Sequence, residues 1–436
     1  MDIKDLQFET SKDEKDLTTL KASVSKEAYD KELQKQIEYY KPKVNIKGFR
    51  IGHAPNDIVY SRYKDALQGA TNEVLIEEVW NTYSEEKNAK SLGTPKLSNM
   101  ENKEDGLYLT YEYYAIPEFD LPDLASITVE KDKYEVDDSS VENAYKLSLK
   151  RFAQYKESDF KSETGDKIFI KIEFDDDKYK KYNKELTVIA KDGENESVFS
   201  KNSVGVKKGD KKLITTYIDE REATLIMEIL KVEKPDTKDD SKEEDKNKVK
   251  ESLKEHLIKR AEERANYNLV NKTLFDKLIG MVNMEIPKGY YEEELKRALD
   301  DFEKSILNNG MSKTEFLISI AKTEGEIKKE YEANVKKQII FDLIMAKLAD
   351  TYKDSITINE DKAKEYANKM YQYQNYLGLA KRPKEEQQNI INYIMRDAQN
   401  RATSEAILEY VKEHVQINEK DSGKFIPDES DIWAGY

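Results

Sequence analysis

The spacing of apolar residues changes period along this chain, and that change governs what the chain can fold into. Between Gly165 and Val232, Ile168, Ile170 and Ile172 alternate with polar neighbours, as do Leu225, Met227 and Ile229. A two-residue period is that of a strand with one buried face. From Val249 to about Asn418 the period lengthens to that of a helix, punctuated near Pro287, Gly310, Gly325, Asp354 to Asn359 and Pro383. The first 117 residues mix both patterns. Leu20, Ala22 and Val24 alternate as a strand, Ser25 stands where a helix cap belongs, and Tyr29, Leu33, Ile37 and Tyr40 follow at helical spacing until Pro42. A second helical stretch runs from about Asp65 to Asn88 with Leu67, Val74, Leu75 and Val79 on its apolar face, and Leu107 to Ala115 reads as a returning strand. The fold class expected is therefore α+β and multidomain: an N-terminal α+β domain, a small mostly-β domain and an all-α C-terminal domain.

A length of 436 residues exceeds what one core usually organises, so two to four domains are expected. The boundaries read as 1–117, an extended connector and helix at 118–150 expected to pack on the C-terminal domain, 151–234, and 235–436. Within the connector, Pro117 to Val136 reads as extended, and Asp137, Asp138, Ser139 and Ser140 can cap a helix reaching through Tyr145 to about Tyr155. Lys234 to Lys248 is almost wholly charged and reads as a solvated hinge or the start of an exposed helix, and Ser422 to Tyr436 as a loosely held tail. Charged residues at 37% against 38% hydrophobic suit an elongated molecule with exposed helical arms.

Composition also narrows the chemistry. With no Cys and three His lacking ligand spacing, neither a thiolate nucleophile nor a metal site is expected, and no phosphate-binding loop or other cofactor motif is present. Met1-Asp2-Ile3-Lys4-Asp5-Leu6 lacks the apolar stretch of a signal peptide, and no run approaches the roughly 20 residues that cross a bilayer. A cytoplasmic protein without a membrane partner is the expectation.

Two groups of residues point to binding. Lys47 is followed by Gly48-Phe49-Arg50-Ile51-Gly52-His53-Ala54-Pro55, which puts an aromatic ring and a guanidinium at the tip of a loop between helices. Between Lys41 and Lys64 there are six Lys or Arg and one Asp, in a chain of net charge -15. A positive tip on an acidic body suits a polyanionic partner, and Arg50 can take a phosphate bidentately beside a stacking or inserting Phe49. The plainer reading is a surface turn with Phe49 tucked beneath it. In the helical half, Met281, Met284, Tyr290, Tyr291 and Phe302 recur close together, followed by Phe341 and Met345, then Met370, Tyr373 and Tyr376. Unbranched, polarizable Met and amphipathic Tyr can repack around different apolar segments. Apolar residues at helical spacing are more often helix-to-helix core; Tyr290, Tyr373 and Tyr376, flanked by polar neighbours, are the ones expected to be exposed.

The pattern Gly48-Phe49-Arg50-x-Gly52-x-x-Pro55 resembles the ribosome-docking signature of the trigger factor family. Gly93-Thr94-Pro95, the strand Leu107 to Ala115, Pro117 and Leu124-Ala125-Ser126-Ile127-Thr128-Val129-Glu130-Lys131 follow in the family's order, as do the helical stretches Asn283 to Leu295 and Tyr331 to Tyr352. The resemblance implies an ATP-independent chaperone. It would contact ribosomal protein and RNA at the tunnel exit through Lys47, Gly48, Phe49, Arg50, Ile51, Gly52 and His53. Two helical arms would shield nascent or unfolded polypeptides, and a homodimer off the ribosome is left open. Ile51 and His53 stand where the family usually carries basic residues, so docking should be weakened, with Lys41, Lys43 and Lys47 in partial compensation.

The middle of the chain resembles the family's FKBP-like prolyl isomerase only in outline. Gly165 to Phe174 is similar to its first strand, Val204 to Lys211 to its Gly-x-x-x-Gly turn, and Ala223 to Val232 to its closing strand. The Ile-Pro-Gly-Phe and Phe-Pro patterns are missing, and Asp175 to Tyr182 brings charge where a pocket floor needs apolar side chains. The expectation is a shortened remnant with no catalytic residue. The rival readings are an active isomerase with a rebuilt pocket, and a dedicated helical adaptor or scaffold.

Overall fold

The computed structural model describes residues 6–151, 153–237 and 243–433. The chain divides into two compact units. One is built from the chain up to Phe119 together with Met284–Lys296, the other from Asp120–Asn283 together with the chain from Arg297 onward.

In the first unit, β1 (Leu6–Lys12), β2 (Leu17–Ser25), β3 (Ser91–Lys103) and β4 (Gly106–Ala115) form an antiparallel sheet in the order β1-β2-β4-β3. Between β2 and β3 lie the helices α1 (Lys26–Tyr40) and α2 (Asn56–Lys87). Ala22 and Val24 face Leu109 and Leu107 across the β2–β4 pair, and all four side chains are buried. The helices cover this face with Tyr29, Leu33, Ile37, Leu67, Leu75 and Val79. The Ser25 hydroxyl accepts a hydrogen bond from the Ala28 amide (3.3 Å) and caps α1, as its position in the sequence indicates. Helix α2 starts at Asn56, well before Asp65: its backbone departs from helical angles at Tyr63, but the buried Val59 lies two four-residue steps before Leu67, so the first turns continue the same stripe. Its buried stripe runs through Leu67, Thr71, Leu75, Val79 and Tyr83, which leaves Val74 off the stripe and exposed, contrary to the sequence reading.

The segment 284–296 joins this unit through a close approach. The Gly289 amide donates to the Lys15 carbonyl (2.9 Å), Lys15 Nζ pairs with Glu292 (2.6 Å), and Tyr114 Oη donates to Glu293 (2.9 Å). The Tyr290 ring meets Tyr114 edge-on at 5.8 Å. Burial, then the neighbouring Glu293, pushes the Tyr114 hydroxyl up to about 12. A Cβ at position 289 would lie 2.4 Å from Tyr114 Oη, so only glycine permits this packing.

In the second unit the connector is extended over β5 (Thr128–Glu135) and helical over α3 (Asp138–Arg151), the latter ending before Tyr155. Strands β6 (Tyr155–Glu157), β7 (Lys167–Phe174), β8 (Lys184–Ile189), β9 (Lys211–Ile218) and β10 (Arg221–Pro235) form one antiparallel sheet, with the short helix α4 (Val198–Asn202) between β8 and β9. Its order is β6-β10-β7-β8, and β9 pairs with the first half of β10. The alternating Ile168, Ile170 and Ile172 are fully buried with Leu225, Met227 and Ile229.

Helices follow: α5 (Glu243–Asn268), a π turn (Leu269–Leu274), α6 (Phe275–Met281), α7 (Lys288–Asn308), α8 (Lys313–Ile320), α9 (Glu324–Thr351), α10 (Glu360–Tyr376) and α11 (Lys384–His414). Of the charged hinge read at Lys234 to Lys248, residues 238–242 lie outside the described residues. Leu253, Leu257, Ala261, Ala265 and Leu269 form the buried stripe of α5, and after one step of five residues it continues through Leu274 and Leu278.

The tail read as loose is firmly held. Helix α11 ends at His414, short of Asn418, and β11 (Gln416–Lys424) pairs in parallel with β5, Ile417 opposite Val129. Phe425 is buried against Tyr134, with the Arg264 guanidinium 4.4 Å from its ring centre. Ser140 Oγ donates to the Phe425 carbonyl (2.6 Å). In α12 (Glu429–Trp433) the buried Asp431 carboxylate pairs with Arg264, and its carbonyl accepts from His256 Nε2 (2.6 Å). Residues 434–436 lie outside the described residues.

Helix α8 seats on the middle sheet. Ile318 enters the sheet's buried cluster, Thr216 Oγ1 donates to the Ile318 carbonyl (2.8 Å), and Lys184 Nζ pairs with Glu315 (2.6 Å). Glu315 also closes a capping box with Ser312. Lys184 first, and then the Ser312 amide and hydroxyl, hold the Glu315 carboxyl down at about 2.

Gly289→Ala is expected to destabilise the first unit by roughly 1–3 kcal/mol through overpacking against Tyr114, although the same change in an open helix would gain about 1 kcal/mol. Urea unfolding followed by Trp80 fluorescence checks it; an unchanged or higher midpoint would refute the packing argument. Because the folded-state carboxyl of Glu315 titrates below its ordinary value of 4.5, its contribution is fully present above about pH 4.5 and fades as pH falls toward about 2. Glu315→Gln keeps a capping side chain and loses the ion pair, so it should cost about 1 kcal/mol at pH 7 after allowance for solvent screening. The gap between the two proteins in denaturant titrations should narrow from pH 5 to pH 3.

Candidate functional site

After α1 the chain makes a single 3-10 turn, Lys41–Lys43, and enters the loop that Pro55 closes at the N-cap of α2. Two residues root the loop: Ile46 and Ala54 are buried in the core of the first unit. Between them the Phe49 amide donates to the Ile46 carbonyl (3.1 Å) and the His53 amide to the Arg50 carbonyl (2.9 Å), giving two successive tight turns. Gly48 (φ +96) and Gly52 (φ +81) supply the left-handed angles these turns require. The tip therefore points outward. Lys47, Gly48, Phe49, Arg50, Ile51 and His53 are exposed, Phe49 by 41% and Ile51 by 57%, and Gly52 is half-buried. Phe49 is not tucked under the turn.

The root is braced as well. Lys41 Nζ donates to Asn56 Oδ1 (2.9 Å) and lies 3.9 Å from Glu38, while Asn56 Nδ2 donates to Glu38 Oε1 (2.7 Å). Lys43 Nζ sits 3.1 Å from the centre of the exposed Tyr39 ring. The sequence reading missed Tyr39 and Ile58, both exposed beside the loop. Adjacent residues on a helix point about 100° apart, so Tyr39-Tyr40 could have been read as one ring in and one ring out. The result is a basic loop tip with apolar side chains on both flanks of a guanidinium, suited to anchoring in a pocket on an anionic surface.

The ten residues singled out in the helical half do not share one surface. Tyr290 is half-buried against Tyr114 rather than exposed, and Tyr291 and Met284 are half-buried in the same unit. Phe302 packs between Phe316 and Tyr331 at 5.5 and 5.3 Å, and Phe341 packs on Phe275 at 4.6 Å. Met345 is only 7% exposed, and Met370 packs on Ala367, Ile394 and Ala398 in the α10–α11 hairpin. Met281, Tyr373 (62%) and Tyr376 (87%) are exposed. The structure adds Tyr371, Leu377, Tyr393 and Met395 to the apolar surface of that hairpin. Helical spacing put Met370 among the candidates but gave no sign of which of its neighbours lack a cover. At the base of the hairpin, Tyr267 and Val270 of α5 and its π turn face Tyr366, Asn400 and Leu408 across a cleft of about 640 Å³.

On the middle sheet, the buried face of β7 is covered by Phe199 of α4 and Ile318 of α8. The charged segment Asp175 to Tyr182 forms a 3-10 turn, Asp177–Tyr182, that brings Tyr179 and Tyr182 within 5.9 and 6.5 Å of Phe174. The segment is thus less polar in effect than its composition suggests, because its lysines project outward and its tyrosines turn in.

A family model described as "Bacterial trigger factor protein (TF)" matches residues 6–147, and one described as "Bacterial trigger factor protein (TF) C-terminus" matches residues 245–413. Among curated relatives, the trigger factor of Borrelia hermsii is 24% identical over 402 residues, 82% of this chain and 88% of that one. That of Alkalilimnicola ehrlichii is 23% identical over 431 residues, covering 91% and 90%, and that of Rickettsia rickettsii 26% identical over 348 residues, covering 73% and 75%. A solved structure described under promiscuous substrate recognition in folding and assembly activities of the trigger factor chaperone is 19% identical and aligns with 93% of this chain and 100% of that chain, at a TM-score of 0.34. Since both matched segments belong to one family and together span well over half of its length, the chain belongs to the trigger factor family.

Proposed function

We propose that this chain is an ATP-independent chaperone that docks beside the ribosomal tunnel exit and shields apolar segments of nascent or unfolded polypeptides. The observation that carries the docking half is the rooted loop, in which Phe49 and Ile51 stand exposed on either side of Arg50. Steering by the basic residues brings an anionic surface near, and desolvating the two apolar groups supplies residence. His53 and Ile51 keep the charge at the tip low, so docking depends more on apolar insertion and less on salt than a fully basic loop would.

The client-facing half rests on the α10–α11 hairpin, where Tyr371, Tyr373, Tyr376, Leu377, Tyr393 and Met395 are all exposed. Weak contacts spread over such a surface permit fast exchange, which a chaperone without a nucleotide cycle needs. We read the working layout as a docking domain at 1–117, a connector at 118–150, a shortened FKBP-like region at 151–234 and a helical client domain from 235 onward. The middle region serves as support rather than as an isomerase. Among the described residues no helix is long and apolar enough to cross a membrane, and the proposed setting is the cytoplasm. Away from the ribosome, the same exposed apolar groups favour pairing of two copies as a homodimer.

Replacing both Phe49 and Arg50 with Ala should lower ribosome cosedimentation by roughly tenfold or more while leaving unfolding midpoints unchanged, since both side chains are solvent-facing. Equal pelleting of the two proteins would remove the loop from the mechanism. For the client half, Tyr373→Ala with Tyr376→Ala should weaken suppression of aggregation of an unrelated unfolded protein several-fold, at a stability cost within about 0.5 kcal/mol. Undiminished suppression would place client binding elsewhere, and no suppression by the wild type would favour a dedicated adaptor.

A further inference from the structure

Helix α8 covers the middle sheet through a small seat. Of its eight residues only Ile318 is buried, and the rest are half-buried. The remaining ties are one hydroxyl, Thr216 to the Ile318 carbonyl, and one ion pair, Lys184 to Glu315. Beside this seat the packing is incomplete. A cleft of about 230 Å³ is left between α8 and the sheet, lined by Ile172, Leu186, Val188, Phe199, Met311 and Ser319. The sheet beneath has its own buried cluster, from Ile168 to Val232, to which α8 contributes only Ile318 among the described residues. The opposite side of α8 is attached by Phe316 to Phe302, which in turn meets Tyr331 of α9. The helix thus has an apolar contact on each side, and among the described residues its hold on the sheet centres on one fully inserted side chain, one hydroxyl and one half-exposed bridge.

We propose that the apolar face formed by β7, β8, β9 and α4 is a latent polypeptide-binding surface, and that α8 is the chain's own occupant of it, lifting to admit a segment of the same kind. What the face accepts is read from what it now holds. The occupant is a short helical segment that inserts a branched apolar residue, presents a carbonyl at its C-terminal end to Thr216, and places an acidic residue one turn earlier against Lys184. Glu315 and Ile318 are spaced i, i+3, so both reach one side of a helix. An unfolded polypeptide carrying an acidic residue three positions before Ile, Leu or Val has this chemistry. Only the identity of the occupant as a client rests on the chaperone reading; the lifting of α8 does not.

The chain's lack of cysteine allows a direct test in the full-length protein. In a Thr216→Cys variant the sole thiol lies under α8, and maleimide reaches it only when the helix lifts. Adding Glu315→Gln to that background should speed labelling roughly fivefold, as loss of a partly exposed ion pair worth about 1 kcal/mol would. Far-UV circular dichroism on the same samples separates local lifting from global unfolding. Labelling only at the rate of global unfolding, with or without Glu315→Gln, would show α8 to be permanent core and overturn the proposal. The second measurement uses a fluorescein-labelled peptide with the sequence of residues 311–322. By anisotropy it should bind an Ile318→Ala, Glu315→Gln protein at least tenfold more tightly than the wild type, where the tethered helix competes. Equal binding to both, or binding to neither, would also overturn it. Neither measurement involves ribosomes or foreign clients, so failure of the chaperone reading would appear in the aggregation assay instead.

Discussion

Pairing of β5 with β11 is the constraint on which the second unit depends. It brings residues 128–135 beside residues 416–424, so the connector, the middle sheet and every helix from α3 to α11 lie within one chain loop. Closing a loop of that size costs entropy, though the cost grows only logarithmically with length. Parallel pairing by itself is modest and leaves strand edges to be covered. Here the pair is flanked by buried anchors: Ile127 and Val129 on one side, and Phe425 with Ile432 on the other. The Arg264–Asp431 pair then fixes the last turn. Burying a carboxylate would be unfavourable alone, but Asp431 also accepts from the Asp428 amide (2.9 Å), so its charge is both paired and hydrogen-bonded.

What the sequence made legible was whatever is decided locally. The alternation of Ile168, Ile170 and Ile172, the Ser25 cap and the glycines at 48 and 52 each express a backbone preference within a few residues, and each was read correctly. The β11 strand was not, because its polar sequence has no apolar alternation and its stability comes from a partner almost three hundred residues away. Phe425 likewise carries no period, and the ring and cation that hold it lie far away in sequence, at Tyr134 and Arg264. The early start of α2 was missed because its first turns bury only Val59 among polar and half-buried neighbours.

The candidate surfaces divide in the same way. The outward aim of Phe49 follows from turn geometry and was open to sequence reasoning. Exposure on the helices was not, since a helical period says which residues share a side and nothing about what covers it. Phe302 and Phe341 meet rings of other helices and Met345 is buried, whereas Tyr371 and Met395 are exposed. Ile318 is the sharpest case: an apolar residue in a helical region whose cover is a sheet one hundred residues earlier.

The π turn at Leu269–Leu274 has a consequence for how this chain can change length. Buried positions before it recur every fourth residue and so do those after it, but the turn itself takes five. It works as a phase corrector, absorbing one surplus residue while Leu274 and Leu278 stay inward. A deletion at this point could be taken up by reverting to ordinary α geometry, whereas a deletion a turn earlier or later would rotate one apolar stripe against the other. Tolerance of the long helix to a one-residue deletion is therefore concentrated in six residues, two of which, Val270 and Asn271, border the cleft facing Tyr366.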